Sequence, residues 1–464
     1  MVNKAFLKLR RIHMVGIGGS GMNGIAEVLL NLGYAVTGSD LQMNEAARRL
    51  KRLGARVTRG HRAENVENAD VVVISSAVRP DNIEVLEARR RQIPVIHRAE
   101  MLAELMRMKL GVAVAGSHGK TTTTSMIALV LEAGGFDPTI IVGGRLNTIG
   151  AHAKLGEGDF IVAEADESDR SFLMLSPFLA VLTNIDREHL DQYKTLDDLK
   201  KAFVHFANKV PFYSPVILCL DDPQLQSLIP QIERRITTYG HSAQADIFVR
   251  DQTFEQFSST STIYFKNQSL GTLRLSVPGS HNILNALSAV AVGLELDIPL
   301  AKILQALKSY SGTGRRFELK GEANGILVIE DYAHHPTEIR ATLNAAKQGW
   351  PRRVVAVFQP HRYTRLSLLQ AEFATAFNQA DVLIVTELYP AGEDPIPGVS
   401  GRALFEEIMR LGHRAVHFEA DLAKVPALVK QLAAPGDLLV FMGAGNIYKI
   451  IPDTLRVLGG RKRP

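Results

Sequence analysis

The sequence has few residues that could form disulfide bonds or a membrane-spanning segment. It has one cysteine and one tryptophan in 464 residues, and no apolar run long enough to cross a bilayer. A lone Cys219 excludes an internal disulfide framework and fits a reducing compartment. No apolar block follows the basic residues near the start, so a secretory leader is not indicated. We therefore expect a cytoplasmic protein without a membrane partner.

Charge and composition are ordinary. The chain has 53 Lys and Arg against 48 Asp and Glu, a net charge of +5 that is mild for this length. Such a balance suits small phosphate-bearing substrates better than nucleic acid, and the basic residues 461–463 are most simply a tail. With 46% hydrophobic and 22% charged residues, the chain is typical of globular proteins. At about 150 residues per domain it predicts three domains.

Apolar runs that alternate with helical stretches predict three α/β blocks and parallel sheets. We place the domains at 1–107, 108–314 and 315–464, with a Rossmann-like first block, a phosphate-loop second block and a Rossmann-like third block. Between residues 236 and 277 the pattern changes to alternating polar and apolar positions, which predicts a small antiparallel sheet on the second domain. The linker before the third block is predicted at residues 311–314, where two glycines lie close together. The predicted strands are residues 13–17, 35–38, 71–75, 94–97, 110–115, 160–163, 179–183, 216–220, 246–250, 261–265, 272–277, 353–358, 382–386, 415–418 and 437–441.

The most informative stretch is AVAGSHGKTT at residues 113–122. An apolar strand, a glycine-rich turn and a helix follow one another, which is the arrangement of a phosphate-binding loop. Lys120 would reach the terminal phosphates and Thr121 would hold a magnesium ion. The general motif has a glycine six residues before the lysine, where this chain has Val114, so the loop is a shortened variant. It predicts ATP binding by Gly116, Ser117, His118, Gly119, Lys120, Thr121 and Thr122.

A second glycine motif, GIGGSG at residues 16–21, follows the first predicted strand. Asp40 ends the next strand, at the spacing of an acid that binds a ribose. Taken alone the pattern fits an NAD-dependent dehydrogenase. Because glycines let the backbone approach any diphosphate, a nucleoside-diphosphate sugar fits equally well.

Carboxylates and a histidine follow two strands of the second block. Glu164 ends one strand, and Asn184 and His189 follow another. Magnesium prefers oxygen ligands, so an imidazole ligand suggests a second metal site, distinct from that of Thr121. A solvated turn is the alternative for the charged run 166–169, and helix capping is the alternative for Asn282 and Asn285.

The third block has two arginines three residues apart, Arg362 and Arg365, behind a strand and a proline. They could form a fork for a carboxylate, and an ordinary basic loop is the alternative. The glycines of residues 443–445 are predicted to form a structural turn. We expect the loop at residues 391–393 to contribute to a small substrate pocket.

Several of these residues resemble, in order and spacing, the Mur ligases of peptidoglycan synthesis. The resemblance covers essentially the whole chain, and it is carried by GSHGKT at 116–121, Glu164, Asn184 with His189, His281 with Asn282, GRRF at 314–317 and Asp331. Three longer strings are similar to the alanine-adding branch of that family: GIGGSGM at 16–22, YSGTGRRFE at 310–318 and DYAHHPTE at 331–338.

The resemblance implies a role for each of these residues. The first domain would bind UDP rather than NAD, through Gly18, Ser20, Asp40 and Ser75. Lys120 would contact the β- and γ-phosphates of ATP, Thr121 would bind one Mg²⁺ and Glu164 with His189 a second, with Mn²⁺ as the alternative ion. The adenine nucleotide would contact Asn282, Arg316 and Asp331. The carboxylate of L-alanine would contact His361, Arg362 and Arg365, with Tyr332 and His334 closing the site.

The resemblance also implies the reaction, which is ATP-dependent ligation of L-alanine to the lactyl carboxylate of UDP-N-acetylmuramate through an acyl phosphate. Lys120, His189 and His334 would be catalytic, with His334 the candidate base, and we expect a monomer or weak homodimer. The alternative is a recycling ligase that adds a pre-made peptide to the same sugar nucleotide. Several relatives have a carbamylated lysine on the helix after the metal histidine, and residues 202–204 have none. The alanine-adding branch is similar in this respect.

Overall fold

The structure is a computed structural model that describes residues 9–75, 77–146, 151–188 and 192–459. The chain divides into two compact units. The first unit comprises residues up to Arg250 together with 262–273 and 284–310. The second comprises 251–261, 274–283 and 311 onward. Three β-sheets flanked by helices confirm the predicted three-part α/β fold.

The first sheet is entirely parallel, with strand order β3-β2-β1-β4-β5. Its order reverses between β1 and β4, so the crevice at the carboxyl ends of those two strands is the expected ligand position. β3 was not predicted, because only Val57 of its four residues is buried and the apolar signal is therefore weak. The elements are β1 Arg11–Val15, α1 Ser20–Asn31, β2 Ala35–Asp40, α2 Glu45–Arg52, β3 Arg56–Arg59, β4 Val71–Ile74, α3 Ile83–Arg90, β5 Val95–His97 and α4 Arg98–Arg107.

The second sheet has ten strands in the order β15-β14-β13-β12-β11-β10-β6-β9-β7-β8. The phosphate-loop strand β6 lies between β10 and β9, and both neighbours run parallel to it. Its strands are β6 Leu110–Ala115, β7 Thr139–Leu146, β8 Ala151–Lys154, β9 Phe160–Ala165, β10 Leu179–Leu182, β11 Val216–Cys219, β12 Ile236–Gly240, β13 Ile247–Glu255, β14 Ser258–Phe265 and β15 Gln268–Leu275.

The strands expected as a separate small sheet extend the parallel sheet, because β12 pairs in parallel with both β11 and β13. A two-residue turn joins β14 to β15, and Lys266 and Asn267 both have positive φ there, as a hairpin turn of this type requires. β7 and β8 form an antiparallel pair that was not predicted.

Helices α5 to α9 accompany this sheet. They are α5 Lys120–Gly134, α6 Leu196–Ala207, α7 Pro223–Gln226, α8 Ser280–Glu295 and α9 Leu300–Ser309. Thr195 caps α6, since its side chain accepts a hydrogen bond from the backbone N–H of Asp198. On α6, Phe203 packs against Phe172 with ring centroids 5.3 Å apart, so apolar packing surrounds this part of the helix. Among the described helices, none is long and apolar enough to cross a membrane.

The third sheet has the order β16-β17-β21-β18-β19-β20, with β16 antiparallel to β17 and the other pairs parallel. Apolar side chains on both of its faces are buried under helices. Phe317 and Trp350 stack at 5.4 Å in one of these layers. The elements are β16 Glu318–Ala323, β17 Ile326–Asp331, α10 Pro336–Gly349, β18 Val354–Phe358, α11 Tyr363–Leu368, α12 Gln370–Ala374, β19 Val382–Thr386, α13 Gly401–Arg410, β20 Val416–Glu419, α14 Val425–Leu432, β21 Leu438–Met442 and α15 Ile451–Val457.

Candidate active site

The phosphate loop between β6 and α5 depends on two glycines. Gly116 has φ +146°, and a Cβ there would lie 1.9 Å from the hydroxyl oxygen of Thr183. Gly119 has φ +80° and precedes the first residue of α5, where a Cβ would lie 2.7 Å from the side-chain oxygen of Asn285. Both positions therefore require glycine. The loop ends at the N-terminus of α5, a helix of 15 residues. The helix dipole and the backbone N–H groups of the first turn favour the binding of an anion there.

Residues after β10 hold this loop in shape. The side chain of Asn184 accepts a hydrogen bond from the backbone N–H of His118 at 2.8 Å and donates one to the carbonyl of His118 at 3.0 Å. Thr183 donates to the same carbonyl at 2.7 Å. The imidazole Nε2 of His118 lies 3.0 Å from a carboxylate oxygen of Asp186, whose backbone N–H donates to Ser117. Asn184 thus fixes the backbone of the loop at His118.

Lys120 is the first residue of α5 and turns back into the loop. Its Nζ lies 2.9 and 2.8 Å from the two carboxylate oxygens of Glu167, and it donates to the carbonyl of Gly116 at 2.5 Å. Burial alone would lower the pKa of Lys120, but the carboxylates of Glu167 and Asp166 raise it above its usual range. The ammonium is therefore charged and enclosed by oxygens.

Two of the predicted metal ligands lie together. The hydroxyl of Thr121 is hydrogen-bonded to the carboxylate of Glu164, which also accepts from the backbone N–H of Gly143 at 2.7 Å. Burial raises the pKa of Glu164 above its usual range, against the effect of these hydrogen bonds. A hydroxyl and a carboxylate are oxygen donors of the kind that Mg²⁺ prefers, so the chemistry of this pair fits that ion. His189, the third predicted ligand, lies outside the described residues.

The first glycine motif forms a loop between β1 and α1. The backbone N–H of Gly18 donates to the carboxylate of Asp40 at 2.9 Å, and Asn44 donates to the carbonyl of Gly18 at 3.0 Å. A Cβ at Gly18 would lie within 2.9 Å of both side chains. Ser75 follows β4 and accepts from the backbone N–H of Ala77. The side chain of Ser20 lies outside what the structure describes.

A cavity of about 330 Å³ connects the two glycine loops within the first unit. Gly19, Gly21 and Ser75 line it from the first sheet, and Lys120, Glu164 and Asp166 line it from the second. Arg98 crosses between them, because its guanidinium donates to Asp166 at 3.1 Å and lies where a Cβ of Gly21 would be. Ligands of both loops would therefore share one solvent-accessible space.

The second unit contains the remaining predicted nucleotide-binding residues. Arg316 donates to Glu338 at 3.3 Å, and its guanidinium lies 5.3 Å from the ring centroid of Tyr332. Asp331 accepts from the backbone N–H groups of Phe317 and Ala333, both at 2.7 Å. Burial raises the pKa of Asp331 to about 6, although the positive charge of Arg316 acts in the opposite direction.

Asn282, the third predicted residue of that group, is buried near the start of α8. Its side-chain amide donates to the carbonyl of Pro278 at 2.7 Å. Burial lowers the pKa of the preceding His281 to about 4, and Arg316 adds to this effect. The amide therefore has a structural hydrogen bond in addition to any contact with a ligand.

The residues predicted to bind the amino acid meet at the carboxyl end of β17 and β18. The rings of His334 and His361 are 6.1 Å apart, and a guanidinium nitrogen of Arg365 lies 3.3 Å from Nδ1 of His361. Burial lowers the pKa of His361 to about 3, and the positive charge of Arg365 is the second largest cause of this lowering. His361 is therefore neutral at pH 7, and the positive charge near it comes from the arginines.

The loop after β19 also reaches this region. Glu393 accepts two hydrogen bonds from Thr364, at 3.0 and 2.7 Å, and lies 3.9 Å from the guanidinium of Arg362. Nδ1 of His334 lies 2.9 Å from the carbonyl of Tyr332. The chain bends at residues 444–446 after β21, and the side-chain oxygen of Gln359 accepts from the backbone N–H groups of Asn446 and Ile447.

Sequence reasoning missed several residues that shape these sites. Glu167 was given no role from the sequence, and a solvated turn was the alternative for its charged run; it is fully buried against Lys120. Arg98 begins a helix distant in sequence from both glycine motifs, and no local pattern indicates its contact with Asp166. Arg315 lies with its guanidinium 4.7 Å from the ring centroids of both Tyr332 and Tyr448. The two consecutive arginines of the GRRF string at residues 314–317 are the sequence feature that could have indicated a role for Arg315.

Three family models together cover most of the chain. The model of the Mur ligase family catalytic domain matches residues 11–110, that of the Mur ligase middle domain matches 114–293, and that of the Mur ligase glutamate ligase domain matches 315–445. The chain belongs to the Mur ligase family.

Curated Mur ligases are similar over nearly the full length. UDP-N-acetylmuramate–L-alanine ligase of Geotalea daltonii is 57% identical and covers 95% of this chain and 96% of its own. The protein of that name from Syntrophotalea carbinolica is also 57% identical, covering 96% of this chain and 97% of its own.

Solved Mur ligase structures agree with the fold. UDP-N-acetylmuramate–alanine ligase of Thermotoga maritima superposes with a TM-score of 0.82 at 30% identity, covering 96% of this chain and 98% of its own. A murein peptide ligase of Psychrobacter arcticus has a TM-score of 0.71 at 26% identity, and the match covers 98% of this chain and 100% of that ligase.

Proposed function

We propose that this Mur ligase joins L-alanine to the lactyl carboxylate of UDP-N-acetylmuramate, with ATP converted to ADP and phosphate. The carboxylate attacks the γ-phosphorus, the bond to the β-phosphate oxygen breaks, and an acyl phosphate forms. The amine of L-alanine then attacks the acyl carbon, phosphate leaves, and the amine gives up its proton. The names of the curated relatives at 57% identity support this reaction and its amino acid.

The cavity between the two glycine loops is the observation that carries the proposal. A diphosphate at the first glycine loop and phosphates at Lys120 would both face that space, because Gly19, Gly21 and Lys120 line it. A sugar nucleotide held at the first loop would therefore present its carboxylate toward the lysine of the second. Arg98 adds a positive charge in the same cavity, which favours anionic substrates.

Lys120 would contact the transferring phosphoryl group and offset the negative charge that develops on its oxygens. Thr121 would hold one Mg²⁺ and Glu164, with His189, a second, with Mn²⁺ as the alternative ion. When bound, the metal neutralises phosphate oxygens and orients them for in-line attack. Backbone N–H groups at the start of α5 would hold the remaining oxygens of the nucleotide.

The second step would use the residues around β17 and β18. Arg362 and Arg365 would bind the carboxylate of L-alanine, and the neutral His361 beside Arg365 would add a hydrogen bond rather than a charge. We propose His334 as the base. Nδ1 of His334 lies 2.9 Å from the carbonyl of Tyr332 and 3.1 Å from a carboxylate oxygen of Glu338, and both of these are acceptors. Nδ1 would therefore carry the proton of the neutral ring, and Nε2 would be the basic nitrogen.

The recycling ligase is the second candidate, because a murein peptide ligase shares the fold at 26% identity. The alanine ligase of T. maritima is the better structural match, and the curated relatives at 57% identity bear the same name. These comparisons favour free L-alanine as the amine substrate.

The test is release of phosphate from ATP and Mg²⁺ with UDP-N-acetylmuramate, measured with L-alanine, with a tripeptide, and with no amine. Release that requires both the sugar nucleotide and L-alanine is expected. Release with the tripeptide alone would assign the recycling reaction, and no release in any mixture would contradict a ligase.

The cytoplasmic location, the monomeric or weakly dimeric state and the domain boundaries stay predictions.

A further inference from the structure

The ammonium of Lys120 is already fully occupied by oxygens of the protein. Besides the two carboxylate oxygens of Glu167, the carbonyl of Gly116 lies at 2.5 Å and that of Ser117 at 3.3 Å. An ammonium has three N–H donors, so these four acceptors use its whole capacity. A phosphate can bind Lys120 only if at least one of them gives way.

Glu167 is the partner that a phosphate would replace, since its negative charge competes directly with that of the phosphate. Its side chain is fully buried, whereas that of Lys120 is 16% exposed. The Gly116 and Ser117 carbonyls belong to the loop itself and are neutral. Asp166 lines the same cavity but is paired with Arg98 at 3.1 Å, so Glu167 is the carboxylate that competes with phosphate for Lys120.

The backbone at Glu167 is fixed independently of Lys120. Its carbonyl accepts from the buried hydroxyl of Tyr193 at 2.7 Å and from the backbone N–H of Arg170 at 3.1 Å. The guanidinium of Arg170 lies 4.6 Å from the ring centroid of Tyr193, which holds that ring in place. Because the backbone is held, the exchange of partners falls on the side chains of Glu167 and Lys120.

We propose that the Lys120–Glu167 ion pair is an autoinhibitory contact, which holds the phosphate-loop lysine away from nucleotide until the phosphates of ATP displace Glu167. The proposal rests on the proposed function only in that Lys120 binds the nucleotide phosphates. Glu167 acts through Lys120 and is a positioning residue. Because nucleotide must break the ion pair in order to bind, the net affinity for nucleotide is lower than it would be without Glu167. Before nucleotide binds, Glu167 neutralises the charge of Lys120 and keeps other anions from binding there.

The test measures the Kd of ADP by calorimetry, in EDTA so that no metal contributes, for the natural protein and for Glu167→Gln. The substitution keeps the size of the side chain and removes the competing charge, so the Kd should fall by at least about fivefold. The matched control is Glu132→Gln on α5, which removes the carboxylate paired with Lys154 at 2.7 Å and should leave the Kd unchanged. Affinity for UDP-N-acetylmuramate should stay the same in both.

A purely structural role for Glu167 predicts the opposite sign, because a distorted loop binds ADP less well. An unchanged or raised Kd in folded Glu167→Gln would therefore overturn the proposal. If that variant does not fold, Glu167→Asp keeps the charge but shortens the reach to Lys120, and it should tighten ADP binding by a smaller factor. A Kd that Glu167→Asp leaves unchanged or raises would overturn the proposal as well. The natural protein could release no phosphate while Glu167→Gln still lowers the Kd of ADP as expected. That result would contradict the ligase reaction but not the proposed role of the ion pair.

Discussion

Ser39 donates a hydrogen bond of 2.6 Å to the buried carboxylate of Glu84, and its own carbonyl accepts from the backbone N–H groups of Gly16 and Ile17 at 2.8 and 3.1 Å. Residue 84 thus supports the first glycine loop through the end of β2. The carboxylate is also contacted by His61 at 2.9 Å. A buried charge so placed makes the stability of the first sheet depend on pH.

We expect Glu84→Gln to flatten the acid side of the stability profile. Burial would raise the pKa of Glu84, but contacts with His13, Ser39 and Asn65 lower it to about 2. A depressed folded-state pKa contributes stability above the unfolded value of 4.5, and this contribution is lost as the pH falls toward 2. The loss should be on the order of 2 kcal/mol.

Thermal unfolding of both proteins between pH 7 and pH 3 measures the effect. The natural protein should lose more stability over this range than Glu84→Gln. Glu100→Gln, which removes an exposed carboxylate of helix α4, is the control and should keep the natural slope between these pH values. Parallel profiles for the natural protein and Glu84→Gln would rule out a titrating Glu84.

Lys120→Ala should lower the rate of phosphate release by about 10²–10³-fold, because it removes a fixed positive charge from the transferring phosphoryl group. Binding of UDP-N-acetylmuramate, measured by calorimetry, should stay within about twofold, because its diphosphate is proposed at the other glycine loop. Lys154→Ala, which removes a lysine from β8, is the matched control and should change neither quantity. Equal loss of both quantities in Lys120→Ala would contradict separate loops.

Asp40→Ala should weaken UDP-N-acetylmuramate binding about tenfold, since the Gly18 N–H loses a charged acceptor and the loop loses its tie to β2. Asp40→Asn keeps an acceptor oxygen and should lose less. Calorimetry with the sugar nucleotide and with NAD measures both ligands. NAD binding by the natural protein would be incompatible with the assignment of this loop.

Arg365→Ala should raise the KM for L-alanine by about 10- to 100-fold, because a charged partner of the carboxylate is lost. The KM for ATP should change far less. Initial rates at varied L-alanine and varied ATP separate the two constants. Arg410→Ala, at a surface arginine paired with Glu407, is the control. A uniform rise in both constants would remove Arg365 from the amino-acid site.

Local patterns predicted much of the fold. Leu110–Ala115 and Val382–Thr386 were predicted with their observed bounds, because buried strands are continuous apolar runs. The β7 and β8 strands escaped prediction. β7 includes two consecutive glycines, and β8 is only four residues long, so neither has a clear apolar signal. The extension of the second sheet by β13 also escaped, since pairing between strands is a tertiary property.

The sequence by itself determined the phosphate loop, because Gly116, Gly119 and Lys120 are neighbours in the chain and their chemistry depends on local backbone geometry. It also determined the Mur ligase family, through strings long enough to be specific. Only the tertiary structure decided that Glu167 pairs with Lys120 and that Glu84 supports the first glycine loop. Each of these contacts joins residues more than forty positions apart, and a buried carboxylate finds its partner only when the fold removes both from water.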